Sequence, residues 1–246
     1  MFHPSVVERE VELASRLRPG FISNGYAVIE DFWTEDLLRQ AETEVAKLIE
    51  HATREQNTLY GVIRNSENYV VVMNRLDKHS DFLYDLARHT VLLRLAEAFI
   101  GKPAISLHVE YFAKPSVRST PTPPHQDHQS YQDHFSDELA VAFWIPFDTA
   151  DENSGALQFA APSPLSLLPH TESTAFDFDF EVAAADARGW RTAVARRGSA
   201  VVHHSYSIHR ADANTSGHER RAIVFNYRGS SYRHHLRAGG DSLQGG

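Results

Sequence analysis

Val7, Val11, Ala14 and Leu17 recur three or four positions apart, which predicts an amphipathic helix that Pro19-Gly20 is expected to stop. The Asn24-Gly25 pair then reads as a turn into a short strand over 26–29. A second helix is predicted after Thr34, a suitable cap, with Glu35 and Asp36 favouring the positive end of its dipole. Leu37, Leu38, Ala41, Val45, Leu48 and Ile49 form its apolar stripe. Strands are expected over 59–63 and 69–73, and one or two further helices over 82–100. Beyond Pro103 the texture changes to short β-branched and aromatic runs separated by Pro, Gly, Asn and Ser. Strands are predicted there over 105–112, 139–147, 156–160, 199–204 and 222–227. Several short strands at this spacing imply a mainly β fold, a sandwich or small barrel, with the N-terminal helices covering its outer face. The stretch 171–188, with a Phe-Asp alternation over 176–180, reads either as an inserted lid or as a long solvated loop.

Composition narrows the chemistry. The chain has 246 residues, a length suited to one domain with a sizeable core, expected over 1–237 with a Gly-rich disordered tail over 238–246. It contains no cysteine, so thiolate metal sites, disulfides and thiol nucleophiles are excluded, and any metal must be held by His and carboxylate. Its 15 histidines are therefore the residues to follow. A net charge of −8 argues against nucleic-acid binding. The absence of a long apolar run argues against a membrane span. The N-terminal residues lack a signal-peptide layout, so the expected location is cytoplasmic.

The segment PTPPHQDHQSYQD, residues 121–133, holds the most informative tripeptide, His125-Gln126-Asp127. In extended backbone His125 and Asp127 share a face and Gln126 points the other way. An imidazole and a carboxylate side by side supply two of the three ligands of a facial metal site. The third must come from another strand, and VVHHSYSIHRADANTS offers His203, His204 and His209. Such a site leaves positions open for a co-substrate and O2 on non-haem Fe(II).

In its surroundings this tripeptide resembles the HxD signature of the phytanoyl-CoA dioxygenase family of Fe(II)/2-oxoglutarate oxygenases. Val141-Ala142-Phe143-Trp144-Ile145-Pro146 is similar to that family's tryptophan-bearing strand, and Asn153-Ser154-Gly155-Ala156-Leu157 to its glycine turn. Residues 198–209 with Asn214 resemble the second ligand region, and Arg220-Arg221-Ala222-Ile223 the cofactor-anchoring strand. The likeness runs from about Asn24 to about Tyr227. It implies a double-stranded β-helix, jelly-roll or cupin-like. It further implies Fe(II) on His125, Asp127 and His209, 2-oxoglutarate as co-substrate with its far carboxylate on Arg220, and O2 as oxidant. Arg220 is favoured over Arg221 on register: with Arg220 inward, Ala222 and Val224 also face the barrel, leaving Ile223, Phe225 and Tyr227 for the helix-covered side.

The same resemblance places Trp144 beside the co-substrate and lets His108 and Lys114 line the cofactor end, although surface exposure is the simpler reading of Lys114. His203 or His204 would support the ligands from behind. Tyr131, His128 and His134 fall on the loop where substrate would enter, and Arg64, Arg75 and Arg118 are further candidates for a substrate pocket. His234 and His235 have no expected role. Ala161-Pro162-Ser163-Pro164 departs from the family's Pro-Gly-Ser-His segment, and no basic cluster suited to coenzyme A is evident. The expected partner is a small-molecule metabolite, oxidised with release of succinate and CO2. Asp127 favours hydroxylation over halogenation, and cyclisation, desaturation and epimerisation stay open. The alternatives are a cupin-like Zn or Mn isomerase or hydrolase that ignores 2-oxoglutarate, and a non-catalytic binding module.

Overall fold

The computed structural model describes residues 1–54, 61–131, 139–175, 179–183 and 187–230. The expected tail, His134, His234 and His235 lie outside them. The first hundred residues hold five helices, α1 (Pro4–Val7), α2 (Glu10–Asn24), α3 (Glu35–Arg54), α4 (Asp81–Ala87) and α5 (Thr90–Ile100), with three short strands, β1 (Tyr26–Ile29), β2 (Val62–Arg64) and β3 (Val70–Met73). Strands then dominate: β4 (Ala104–Lys114), β5 (Thr122–His125), β6 (Ala140–Pro146), β7 (Leu157–Phe159), β8 (His170–Glu172), β9 (Phe180–Val182), β10 (Arg191–Thr192), β11 (Ala200–His204), β12 (His209–Ala211) and β13 (Arg220–Gly229).

The strands form a seven-stranded sheet, β1-β11-β6-β13-β4-β3-β2, a four-stranded sheet, β10-β7-β12-β5, and the hairpin β8-β9. All the recorded pairings are antiparallel. The result is the cupin-like double-stranded β-helix with helices on one side. Alternation along β13 shows how it is filled. Ile223, Phe225 and Tyr227 enter the large core with Phe21, Leu38, Val45 and Phe99 of the helices, while Ala222 and Val224 join Trp144, Leu157, Phe159 and Ala211 between the sheets. The small side chains on the inner face leave room for a cavity there.

Three features differ from the sequence expectation. Pro19 does not end its helix: α2 continues to Asn24 and stops at Gly25, whose φ of 86° is left-handed. Phe21, fully buried against Phe99 at a ring separation of 4.8 Å, ties the extra turn to the core, and tertiary burial outweighs the proline. A Cβ at residue 25 would come within 2.7 Å of Ser207, so glycine is needed there on two counts. Strand β5 was hidden by Pro123 and Pro124; it lies at the edge of the four-stranded sheet, where missing amide donors are tolerated. Finally, the described residues of 171–188 include part of the β8-β9 hairpin, packed beside β5, with the Phe180 ring 6.3 Å from that of His125.

The segment at 161–164 turns through a cis Ala161–Pro162 bond and lays Ser163 against the helix end, its amide donating to the Ser23 carbonyl at 3.0 Å. Ser163 Oγ also meets His204 Nε2 at 3.4 Å. Among the described residues, no helix is long and apolar enough to cross a membrane.

His204 projects into the helix-covered core, edge-on to Phe21 at 5.2 Å. Burial, and then the neighbouring His203, push its pKa down to about 3. An unfolded chain would protonate this group near pH 6.5, so His204 leaves stability intact above that pH and costs stability as the pH falls towards 3. In denaturant titrations at pH 7.5 and 5.0 the parent should lose about 2 kcal/mol more stability than His204→Leu does over the same interval.

Candidate active site

The antiparallel register of β12 and β5 sets His209 directly opposite His125, with ring centroids 4.1 Å apart. Gln126 is extended (φ −119°, ψ 125°), and Asp127 opens the 3-10 turn Asp127–Ser130. Asp127 Oδ1 thereby comes within 3.5 Å of His125 Nε2 and 3.6 Å of His209 Nε2. The three ligand atoms of His125, Asp127 and His209 all lie within 4.8 Å of one another, a compact face for one metal ion.

Each imidazole is oriented from behind. His125 Nδ1 donates to the Pro123 carbonyl at 2.9 Å and His209 Nδ1 to the Ser207 carbonyl at 3.2 Å, which turns both Nε2 atoms towards the carboxylate. Burial, followed by the adjacent His125, holds His209 well below the ordinary histidine pKa, so it is the neutral ligand form. Burial works against ionisation of Asp127, but His209, His125 and His203 outweigh it and keep the carboxyl well below its usual range. His203 Nε2 donates to the outer oxygen, Asp127 Oδ2, at 3.0 Å. Of the two histidines offered as support, His203 faces the site and His204 the core, as strand alternation demands.

The ligand face opens into a cavity of about 610 Å³, a volume typical of small-molecule sites. Arg220 lines it, only 3% exposed, with Nε and Nη1 buried and without a hydrogen-bond partner among the described residues. Burial lowers its pKa to about 10, which still leaves it charged at neutral pH. Its guanidinium carbon lies 5.3 Å from the centre of the Trp144 ring. Arg221 points the other way and is committed to Asp148 at 2.8 Å and Glu42 at 3.2 Å.

A buried guanidinium without its anion is costly, and the donors it presents suit a carboxylate. Three clustered ligand atoms without thiolate suit Fe(II). The residues present therefore fit both an iron ion and a dicarboxylate.

The remaining candidates divide. Tyr131, Trp144 and His108 line the cavity. His108 is not at the Arg220 end, however: it pairs with Asn226 while Lys114 pairs with Arg220, roughly 20 Å away along the strand. Lys114 is not a surface residue; it is buried, with Nζ donating to the Thr120 carbonyl at 2.6 Å. His128 is outside the cavity lining, locked by Ser205 Oγ and the Tyr206 hydroxyl, each at 3.2 Å. Arg64 is absent from the lining as well and donates to the carbonyls of Asn68 and Ala52 at 3.2 and 3.0 Å. Arg118 pairs with Glu67 outside this cavity.

Sequence reasoning passed over Gln126. Fully buried, it donates through Nε2 to the carbonyls of Ser166 and Tyr206 at 2.9 and 2.6 Å, and its Oε1 accepts from the Leu168 amide at 2.7 Å. Its own amide donates to His170 Nε2 at 3.2 Å. Glu110, Asn226 and Arg228 also line the cavity. Continuing the period of two from His108 along β4 and from Arg220 along β13 would have reached all three.

Sandwich and ligand face together fit the class of cupin-like, 2-oxoglutarate-dependent oxygenases. The chain belongs to the phytanoyl-CoA dioxygenase family, whose model matches residues 21–222. Among solved structures it is similar to EvdMO1 (TM-score 0.70, 21% identity, 89% of this chain and 50% of that one), so it spans half of that protein's length. It is similar to AviO1 from Streptomyces viridochromogenes (TM-score 0.69, 21% identity), with 89% of this chain and 96% of that one covered. It is also similar to the epimerase SnoN in complex with Fe3+, alpha ketoglutarate and nogalamycin RO (TM-score 0.65, 22% identity, 96% and 94% covered). At these identities the likeness is one of fold. No curated protein matches the chain.

Removing the His203 imidazole takes away the hydrogen bond that orients Asp127. His203→Leu should weaken metal binding about tenfold or more, read by titration of the apoprotein with Fe(II) under anaerobic conditions. Unchanged affinity would leave His203 without this role.

Proposed function

We propose that residues 1–237 act as one catalytic domain, a non-haem Fe(II)/2-oxoglutarate-dependent dioxygenase that oxidises, and first of all hydroxylates, a small-molecule metabolite. The observation that carries this reading is one cavity holding both the His125/Asp127/His209 face and Arg220, whose Nε and Nη1 have no hydrogen-bond partner among the described residues. When bound, Fe(II) and 2-oxoglutarate supply the reduction of O2, the release of succinate and CO2, and an oxidant able to abstract hydrogen.

His125 and His209 would hold the metal as neutral nitrogen ligands, and Asp127 would offset part of its charge. Arg220 would receive the far carboxylate of the co-substrate on Nε and Nη1, giving two charge-assisted hydrogen bonds where burial excludes competing water. Trp144 would form the wall beside that carboxylate. Tyr131 would stand on the substrate side, its phenol kept protonated by burial and by the nearby Asp127. SnoN, an epimerase of the same fold, supports a second outcome in which hydrogen is abstracted and returned rather than replaced by hydroxyl.

The deciding measurement is succinate formation from 2-oxoglutarate with Fe(II) and ascorbate across a library of small metabolites. Product stereochemistry then separates hydroxylation from epimerisation. His125→Ala and Asp127→Ala should abolish metal-dependent turnover. Arg220→Ala should raise the dissociation constant for 2-oxoglutarate by about a hundredfold, as expected for losing a doubly hydrogen-bonded charge pair. A Zn or Mn isomerase would instead show no rise in melting temperature on adding 2-oxoglutarate to the metal-loaded protein.

A further inference from the structure

The cavity extends beyond the groups used above. Among its described lining residues are four guanidinium groups, Arg75, Arg210, Arg220 and Arg228, against two carboxylates, Asp127 and Glu110. An Fe(II) ion and a 2-oxoglutarate dianion cancel one another, so loading leaves the balance of these lining groups unchanged. Arg210 is turned aside, stacked 4.2 Å above Trp190 and donating from Nε to Gln158 Oε1 at 2.9 Å. Glu110 is already engaged, accepting from Asn226 Nδ2 at 2.9 Å and facing His108 Nε2 at 3.4 Å.

Arg75 stands apart from these. It lines the same cavity, and its buried Nε has no hydrogen-bond partner among the described residues. Its backbone is left-handed, φ 60° and ψ 37°, at the start of the 3-10 turn Leu76–Lys78. A non-glycine residue held in that region carries a conformational cost and is over-represented at ligand contacts. Arg75 shares the cavity lining with His108, which pairs with Asn226 and so lies six residues along β13 from Arg220.

We propose that Arg75 is a specificity-determining residue that receives an oxyanion, a carboxylate or a phosphate, on the substrate, so that the enzyme takes anionic small molecules. Glu110, His108 and Asn226 form the polar wall next to it, offering hydrogen bonds to the remaining polar groups of such a substrate. The planar fork of Arg75 gives the anion a fixed orientation relative to the metal face, and thereby selects which carbon is presented for hydrogen abstraction. The inference rests on the oxygenase reading of the site.

The test uses the protein loaded with Fe(II) and 2-oxoglutarate without oxygen, and three matched probes: 4-phenylbutyrate, 4-phenylbutyl phosphate and the neutral 4-phenylbutanamide. Binding is followed calorimetrically. At least one anionic probe should bind about tenfold or more tightly than the amide, and which anion does so separates the two sources. Arg75→Asn, which suits the left-handed backbone, should remove that preference while changing amide and 2-oxoglutarate affinity by less than about twofold. Arg75→Lys should restore part of it. Equal binding of all three probes by the parent, or a preference that survives in Arg75→Asn, overturns the proposal. Failure of the parent to bind 2-oxoglutarate at all would instead overturn the oxygenase reading, and this inference with it.

Discussion

The period of two along β13 is the constraint on which the rest depends. One strand must satisfy a helix-covered core on one face and a polar cavity on the other, and it can do so only in one register. A shift by a single residue would push Ile223, Phe225 and Tyr227 into the cavity together with Arg221, and turn Arg220 towards the apolar core. The apolar cost of that shift is far larger than any single interaction in the site. The position of Arg220 is therefore set by the packing of its neighbours, and a charge that gains nothing from burial is carried inward by residues that do.

The same logic explains why parts of the molecule could be read from the chain and others could not. The mainly β layout with covering helices, the outward face of Arg221 and the pairing of His125 with Asp127 all follow from local periodicity, which sequence displays, while the double-stranded β-helix is implied by the family resemblance. The reach of α2 past Pro19 does not, because the burial of Phe21 against Phe99 is a contact across the chain. The distance of His108 from Arg220 is not legible either, because adjacency in sequence to the HxD motif says nothing about the register between β4 and β13. Arg64 and Arg118 carry charge but no periodic signal, and the structure uses both to tie down local backbone or an exposed carboxylate.

Gln126 illustrates a further limit. At the middle of the metal motif it is the residue that points away, and pattern arguments treat it as a spacer. In the folded chain it is fully buried and bonds the loop at 166–168 and the Tyr206 carbonyl, while its amide reaches His170 on the hairpin. The two candidate ligands of the tripeptide are thus held by what lies behind them as much as by their own strand. Its amide side chain both donates and accepts, a combination that hydrophobic patterning does not register.

Strand β5 carries a candidate metal ligand, His125, at the margin of its sheet, a place where open amide donors invite another chain to add a strand. Pro123 and Pro124 remove two amide donors immediately before His125, and because successive amides point to opposite sides of a strand one of the two is on the open edge. The residues that concealed the strand from sequence reading therefore also discourage intermolecular pairing along it, and protect the ligand geometry from being pulled apart by aggregation at high protein concentration.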